Sequence, residues 1–306
     1  MKALVTGGAG FIGSHLVDRL VAQGTETVRV YDNFFRGRLE NLSAHRTNPQ
    51  VDLIDADIRD EERLRQAVDG CDVVYHLAAQ SNVMGGVTDM DYSFTTNVVG
   101  TYLVLKAAHD AGVRRVVFTS SREAYGEPET LPVPETTPLS SKNSYGASKV
   151  AGEMYCQVFH NLFKLPVAVL RLSNVYGPRD FGRVIPLWLD QAIAGIDLTV
   201  FGGQQVIDFV WVDLVVDALL RASSAPVSGR PINIGSGQGT PILDLARRIL
   251  EVVPGPSQLD LRPTRDAEVV RYTADITLMK GLLGLDPPAD PLFGLERMAK
   301  LRMEGE

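Results

Sequence analysis

The chain has few cysteines, no long apolar run and no excess of positive charge, and each shortage removes a class of function. Its two cysteines, Cys71 and Cys156, have no CxxC spacing; they cannot build a disulfide framework and fit a reducing compartment as buried small hydrophobes. No apolar run approaches the roughly 20 residues that cross a bilayer. The opening MKALVTGG enters a strand directly, without the longer apolar core and cleavage site of a signal peptide. A cytoplasmic protein with no membrane partner is expected. The formal net charge of -7 and the pI near 5.3 argue against nucleic acid, which wants a basic face. No Gly-Lys pair occurs, so a P-loop nucleotidase is excluded, and GxSxG and HExxH are also missing. The five histidines, at 15, 45, 76, 109 and 160, show no metal spacing. No metal site is expected, and His76, at the end of an apolar strand, reads as a satisfied core histidine.

What is present is ordinary globular material: 306 residues, 45% hydrophobic and 22% charged, enough for one large core or two modest ones. Short apolar runs alternate with amphipathic stretches through the first two-thirds. Ala3 to Val5, Val28 to Tyr31, Val51 to Ile54, Val73 to Leu77, Val116 to Phe118 and Val167 to Leu170 read as strands. Helical spacing covers Phe11 to Gln23 and about 61–69, 92–111 and 144–164. Strands alternating with helices mean βαβ units, so the fold expected is α/β, a doubly wound parallel sheet of the Rossmann type. Beyond residue 172 the pieces are shorter and more irregular: strand-like Leu198 to Phe201 and Ile232 to Ile234, and helices at about 184–194, 213–222 and 241–252. This divides the chain into a dinucleotide-binding domain over 1–172, to which some later segments return, and a smaller mixed α/β substrate lobe over 173–306.

Thr6 to Gly13, TGGAGFIG, follows the first strand and opens the first helix. Glycines at 7, 10 and 13 allow a tight turn and close approach of a pyrophosphate to the helix N-terminus, where Phe11 and Ile12 begin the helix. Asp32 ends the second strand where a carboxylate would accept the adenosine ribose hydroxyls and repel a 2′-phosphate, so NAD is expected over NADP. Asn33 beside it joins the cofactor-binding candidates. Arg36 and Arg38 read as loop-surface charges.

Tyr145 and Lys149 lie four apart in SYGASKVAGEMY, where Ser144 reads as a helix cap, and so share a helix face. The bland reading is an exposed pair worth only about 0.2–0.5 kcal/mol. The functional reading is a tyrosinate base. Taking a phenol from a pKa near 10 to about 7 requires roughly 4 kcal/mol. One ammonium about 4 Å away at an effective dielectric near 20 supplies about that much.

Together TGGAGFIG, Asp32, DADIRD, YHLAAQ, NVVGT, TSS-x-x-x-YG, the Tyr145-x-x-x-Lys149 pair, LRLSNVYGPRD, DFVWVDLVVDALLRA and NIGSGQ run over nearly the whole chain. In that order they resemble the extended short-chain dehydrogenase/reductase family of nucleotide-sugar epimerases and dehydratases. The resemblance implies that Asp57 and Ile58 contact adenine, that Leu77, Ala78 and Ala79 line the cofactor path, and that Asn97 supports the site. It also implies Ser121, Tyr145 and Lys149 as the catalytic triad, with Thr119 and Ser120 at the strand end and cofactor. Asn174 would sit at the sugar-nucleotide diphosphate. Family members often dimerise through helices like those at 92–111 and 144–164, which implies a homodimer.

The family's common first step oxidises sugar C4: tyrosine takes the hydroxyl proton as hydride passes to NAD. An epimerase returns hydride to the opposite face, whereas a dehydratase or a decarboxylase diverts the 4-ketose. Glu123, two past Ser121, is where dehydratases and decarboxylases of the family place a glutamate. The residue before it is Arg122, which cannot donate a proton at neutral pH as a dehydratase's acid must. It could instead pair with Glu123 or bind a substrate anion such as a uronate carboxylate. The bland alternative is a surface ion pair worth ~0–1 kcal/mol. The family's Gln-x-Arg-Asp-Phe appears here as Gln205-Val206-Ile207-Asp208-Phe209, without the diphosphate arginine. Arg265 and Glu268 fall where the family places a diphosphate arginine and a ribose-binding acid, and Arg183 is a second candidate cation. Gly85 and Gly86 replace bulkier positions, which could widen the sugar pocket. The reading reached is a UDP-hexose 4-epimerase, with a dehydratase or decarboxylase using Glu123 as the alternative and a noncatalytic NAD-binding sensor as a remote one.

Overall fold

Apolar runs become strands buried on both faces, which is what a parallel sheet covered by helices requires. The computed structural model describes residues 1–81, 88–264 and 270–304. Strands β1 (Lys2–Thr6), β2 (Thr27–Asp32) and β3 (Val51–Asp55) are linked by helices α1 (Phe11–Ala22) and, after β3, α2 (Glu61–Val68). Next come β4 (Val73–His76), α3 (Met90–Phe94), a π-helical stretch Thr95–Gly100 that continues into α4 (Thr101–Asp110), and β5 (Arg115–Ser121). After β5 a short 3-10 turn, Arg122–Ala124, leads towards α5 (Ser144–Phe163), followed by β6 (Val167–Leu172). Asn143 caps α5, its side chain accepting from the Gly146 N–H at 2.9 Å. The cap is therefore one residue earlier than the expected Ser144.

The C-terminal part adds β7 (Asn174–Tyr176), α6 (Val184–Ile193), β8 (Leu198–Phe201), β9 (Val206–Trp211), α7 (Val212–Ala222), β10 (Pro231–Ile234), β11 (Gly239–Pro241), α8 (Ile242–Val252), β12 (Leu259–Arg262), α9 (Thr277–Leu283) and α10 (Leu295–Glu304). The main sheet is parallel throughout, with seven strands in the order β10-β6-β5-β4-β1-β2-β3. Its chain reverses direction of winding between β1 and β4, the switch point at which such sheets open a crevice. Ile232 to Ile234 is the later segment that returns: it extends the sheet beyond β6. Smaller sheets, β11-β9-β7 and β12-β8, build the second lobe. One apolar core runs from β1 and α1 through α7 into Trp188, Phe209, Trp211, Ile249 and Met298, so the two lobes share it. A second core fills the opposite face beneath α2, α4 and α5.

Candidate active site

A cavity of about 570 Å³ opens at the C-terminal ends of β1, β4, β5 and β6. At one end the Gly-rich turn forms its wall. Gly7 has φ of +72°, and a Cβ there would lie 2.7 Å from the Ala78 nitrogen; one on Gly13 would lie 2.1 Å from the Gly7 carbonyl oxygen. Only glycine fits either place. Helix α1 starts on Gly10 with no side chain capping it, which leaves its positive end to an anion. Phe11, Ile12 and Gly13 line the cavity there. Asp32 is buried; its Oδ2 accepts from the Ala9 N–H and its Oδ1 from the Phe34 N–H, each at 2.9 Å. Burial pushes its carboxyl upward and the two N–H donors draw it back. A bare glycine cradle, an open helix N-terminus and a carboxylate at the end of β2 fit a dinucleotide with a free ribose 2′-hydroxyl.

Asn33, Ile58, Leu77, Ala78, Ala79 and Thr119 also line the cavity. Two residues named from the sequence stand back from it. The Asp57 carboxylate is held by Arg59 at 2.7 Å and by Asn33 Nδ2 at 2.8 Å, hydrogen bonds that bring it down to about 2. Asn97 is buried and acts as a brace: it accepts from the Gln80 N–H at 2.7 Å and donates to the Gln80 carbonyl and to Ser148 Oγ. Arg36, expected on the loop surface, lines the cavity instead, because Phe181 from the loop after β7 packs against it, ring centre 5.2 Å from the guanidinium carbon. Arg38 lies 4.0 Å from the centre of the same ring.

The group expected to handle a proton is built where β5 meets α5. Tyr145 and Lys149 line the cavity one helical turn apart, facing Ser121 at the end of β5. Enclosure pushes the Tyr145 phenol up to about 12, while the Arg183 guanidinium and the Ser121 hydroxyl draw it down and Glu123 raises it. Lys149 is buried and donates to the Thr119 carbonyl at 2.8 Å, with its nitrogen 5.8 Å from the centre of the Tyr145 ring. Desolvation lowers it to about 8. The Lys149 ammonium, expected to lower the phenol with help from an oxidised nicotinamide, is committed to β5, and enclosure leaves the phenol high. His76 is the core histidine expected, bonded to Thr6 at 2.8 Å and Thr101 at 3.0 Å, and burial brings it down to about 3.

Arg122 and Glu123 also line the cavity, but not as an exposed pair. Their side chains are 11% and 9% exposed and meet at 3.0 Å. Ser121 caps the 3-10 turn that carries them and tucks both under the cavity. The second Glu123 oxygen accepts from Asn143 Nδ2 at 2.8 Å, and Arg122 Nε donates to Asn174 Oδ1. Arg122 also stacks 5.8 Å from the Tyr272 ring centre.

On the side formed by the C-terminal part of the chain, Asn174 and Arg183 line the cavity, as do Ile207, Thr199, Phe201 and Gln205. Arg183 is paired with Asp180 at 3.0 Å and lies 5.5 Å from the Phe11 ring centre. Arg265, Glu268, Gly85 and Gly86 lie outside the described residues. Sequence reasoning passed over Ser173 and Phe181, which line the cavity, and the buried Glu153-Arg171 pair behind it. A signal for the last was available: Arg171 interrupts the apolar run VAVLRL, and Glu153 is one turn past Lys149.

Residues 3–235 match the model of the NAD dependent epimerase/dehydratase family. A UDP-glucose 4-epimerase of Mycolicibacterium smegmatis is 38% identical over 294 residues, 94% of each chain. UDP-glucuronic acid decarboxylase 2 of Arabidopsis thaliana is 35% identical over 309 residues, 98% of this chain and 68% of the relative. The crystal structure of a dTDP-glucose 4,6-dehydratase from Streptomyces venezuelae with NAD bound superposes with a TM-score of 0.95 at 30% identity, covering 100% of this chain and 98% of that one. With a Rossmann sheet, a glycine cradle that fits NAD, and relatives matched along nearly its whole length, this chain belongs to the NAD-dependent epimerase/dehydratase family.

Proposed function

We propose that the protein is a nucleotide-sugar 4-epimerase acting on a UDP-hexose of the UDP-glucose/UDP-galactose type. The observation that carries this reading over its alternatives is the buried Arg122-Glu123 pair. Dehydration needs an acid for the leaving C6 oxygen and a base for the C5 proton. Arg122 has no proton to give at neutral pH, and both Glu123 oxygens are already held, by Arg122 and Asn143. The similarity to the mycobacterial UDP-glucose 4-epimerase supports the same reading.

Gly7, Gly10, Gly13 and Asp32 would hold NAD, which when bound would supply the hydride acceptor and, oxidised, a positive charge. Tyr145 takes the C4 hydroxyl proton and later returns it. The phenol stands near 12 even with the Arg183 guanidinium and the Ser121 hydroxyl drawing it down, so it needs a further positive charge before it can act as a base near neutrality. Ser121 orients the C4 oxygen, and Lys149, by bonding the Thr119 carbonyl, fixes the strand end against α5. Asn174 and Arg183 stand where they can meet the diphosphate. The alternative, a decarboxylase or dehydratase using Glu123, is favoured by the position of that carboxylate in the cavity wall.

The enzyme is further proposed to be a cytoplasmic homodimer. Two unpaired buried thiols support the compartment. An apolar patch on α4 and α5, with the Tyr102 and Tyr155 rings 5.6 Å apart, supports the dimer.

The test is to incubate the protein with UDP-glucose, UDP-glucuronate and dTDP-glucose and to read product mass and C4 configuration. Unchanged mass with inverted C4 is expected; loss of water or carbon dioxide overturns the epimerase. Tyr145→Phe is expected to cut turnover by about 10²–10⁴-fold while leaving NAD bound. NAD binding with no turnover of any sugar nucleotide would return the sensor.

A further inference from the structure

Behind the cavity lies a buried polar cluster. Glu153 is 1% exposed and Arg171 3%. Arg171 Nη2 donates to Glu153 Oε2 at 2.6 Å and its Nε to Oε1 at 2.9 Å. Ser120 Oγ donates to Glu153 Oε1 at 2.5 Å. Ser120 and Arg171 are directly paired across β5 and β6, so one carboxylate from α5 reads both strands at the same level. Four residues earlier on α5, Lys149 bonds the Thr119 carbonyl. Thus successive residues of β5, 119 and 120, are each tied to α5, and the next is Ser121.

We propose that Glu153 is a positioning residue for the redox step, acting through Ser120 and Lys149: its carboxylate fixes the end of β5 and keeps the Lys149 ammonium charged beside Tyr145. The proposal rests on the reading that Tyr145 takes the substrate proton while Lys149 holds the strand end beside it. The desolvation cost of a carboxylate and a guanidinium in the core is large, and packing alone would be served by apolar residues. A charge placed one turn from the catalytic lysine gives the pair a task.

The groups facing Lys149 leave Glu153 as the acting anion. On α5 itself these are Tyr145, Cys156 and Glu153; β4 contributes His76, β5 the Phe118 ring and the Thr119 carbonyl, and β6 Arg171 by way of Glu153. Burial lowers Lys149 to about 8, and Cys156 and Glu153 oppose it. Burial also pushes the Cys156 thiol up, with Tyr145 near 12 and His76 near 3. All three are neutral at pH 7, and the anion among these groups is the Glu153 carboxylate that ion-pairs with Arg171 at 2.6 Å. Removing its charge moves Lys149 further down, and the ammonium is then lost at a lower pH.

The experiment follows Lys149 directly in the full chain with NAD, by NMR titration of side-chain ¹⁵N-labelled lysine, the resonance assigned by its loss in Lys149→Met. Glu153→Gln is expected to lower the Lys149 midpoint by about one pH unit, and Cys156→Ser to leave it in place. The alkaline limb of kcat against pH is expected to move down with the Glu153→Gln midpoint. If that variant does not fold with Arg171 left uncompensated, Glu153→Gln/Arg171→Gln removes both charges, with a smaller downward shift expected. Ser120→Ala is expected to lower kcat about tenfold without moving the midpoint. A Lys149 midpoint unchanged in the folded Glu153 variant overturns the proposal. A midpoint that moves in a protein that instead strips water or carbon dioxide from its sugar nucleotide leaves this proposal standing and removes the epimerase, whereas a protein that turns over no sugar nucleotide removes both.

Discussion

Single residues show how far enclosure changes what a side chain does. Arg122 and Glu123 could have been an exposed pair of small worth, yet the 3-10 turn after β5 buries both, so breaking the pair leaves an uncompensated charge in the cavity wall. Asp180, in the loop over the cavity, is a second case. It is 3% exposed, with Oδ1 on Arg183, and its Oδ2 is buried without a hydrogen-bond partner. Burial raises it from 3.8 to about 6, against the pull of Arg183 and Arg302. The sign follows from proton counting: between these two values the folded protein holds a proton that the unfolded chain has released. Stability therefore falls as pH rises from about 4 to 6 and changes no further above. Asp180→Asn is neutral throughout, so its stability should gain on the native protein across that window by about 3 kcal/mol, read as a rising difference in melting temperature, and run parallel to it from pH 6.5 to 8. Paired calorimetric scans measure this, and a difference that does not vary with pH would refute it. Neither burial was legible in the sequence, because burial of a loop residue is set by what folds over it.

At the scale of elements, periodicity located the strands and helices of the first half, since a strand buried on both faces is a plain apolar run. It did not reveal the π-helical stretch Thr95–Gly100 between α3 and α4. That stretch contains Asn97, whose amide bonds the Gln80 backbone on one side and Ser148 on the other. Ser148 in turn donates to the Tyr145 carbonyl at 2.7 Å. The segment thereby clamps the loop after β4 to the helix bearing Tyr145 and Lys149. Asn97→Ala removes three buried hydrogen bonds and should cost about 1–3 kcal/mol, read as a lowered urea midpoint with turnover reduced in parallel. A midpoint within error of the native one would show that the brace is dispensable. The second lobe was less legible: β7, β9, β11 and β12 are three to six residues long and pair across large sequence distances. Such pieces carry too little pattern to be identified locally.

For the whole molecule, the apolar face that no other element covers among the described residues is the telling feature. Tyr102, Met154, Tyr155, Val158 and Leu162 are exposed, Leu162 by 71%, along α4 and α5. If two copies meet there, Tyr155→Glu with Leu162→Glu should halve the mass seen by analytical ultracentrifugation while changing monomer stability by only about 0.5 kcal/mol per site. A native protein that sediments as a monomer would rule the dimer out. The sequence by itself determined the βαβ alternation, the glycine turn with Asp32, and the group Ser121, Tyr145 and Lys149, because each depends on spacing within one strand-turn-helix unit. Tertiary structure alone decided that β10 rejoins the sheet beside β6, that Arg36 and Phe181 meet across the cavity mouth, and that Glu153 bridges Ser120 and Arg171. These contacts join residues 18 to 145 positions apart or turn on which face of a strand is buried, and long-range packing rather than local pattern selects them.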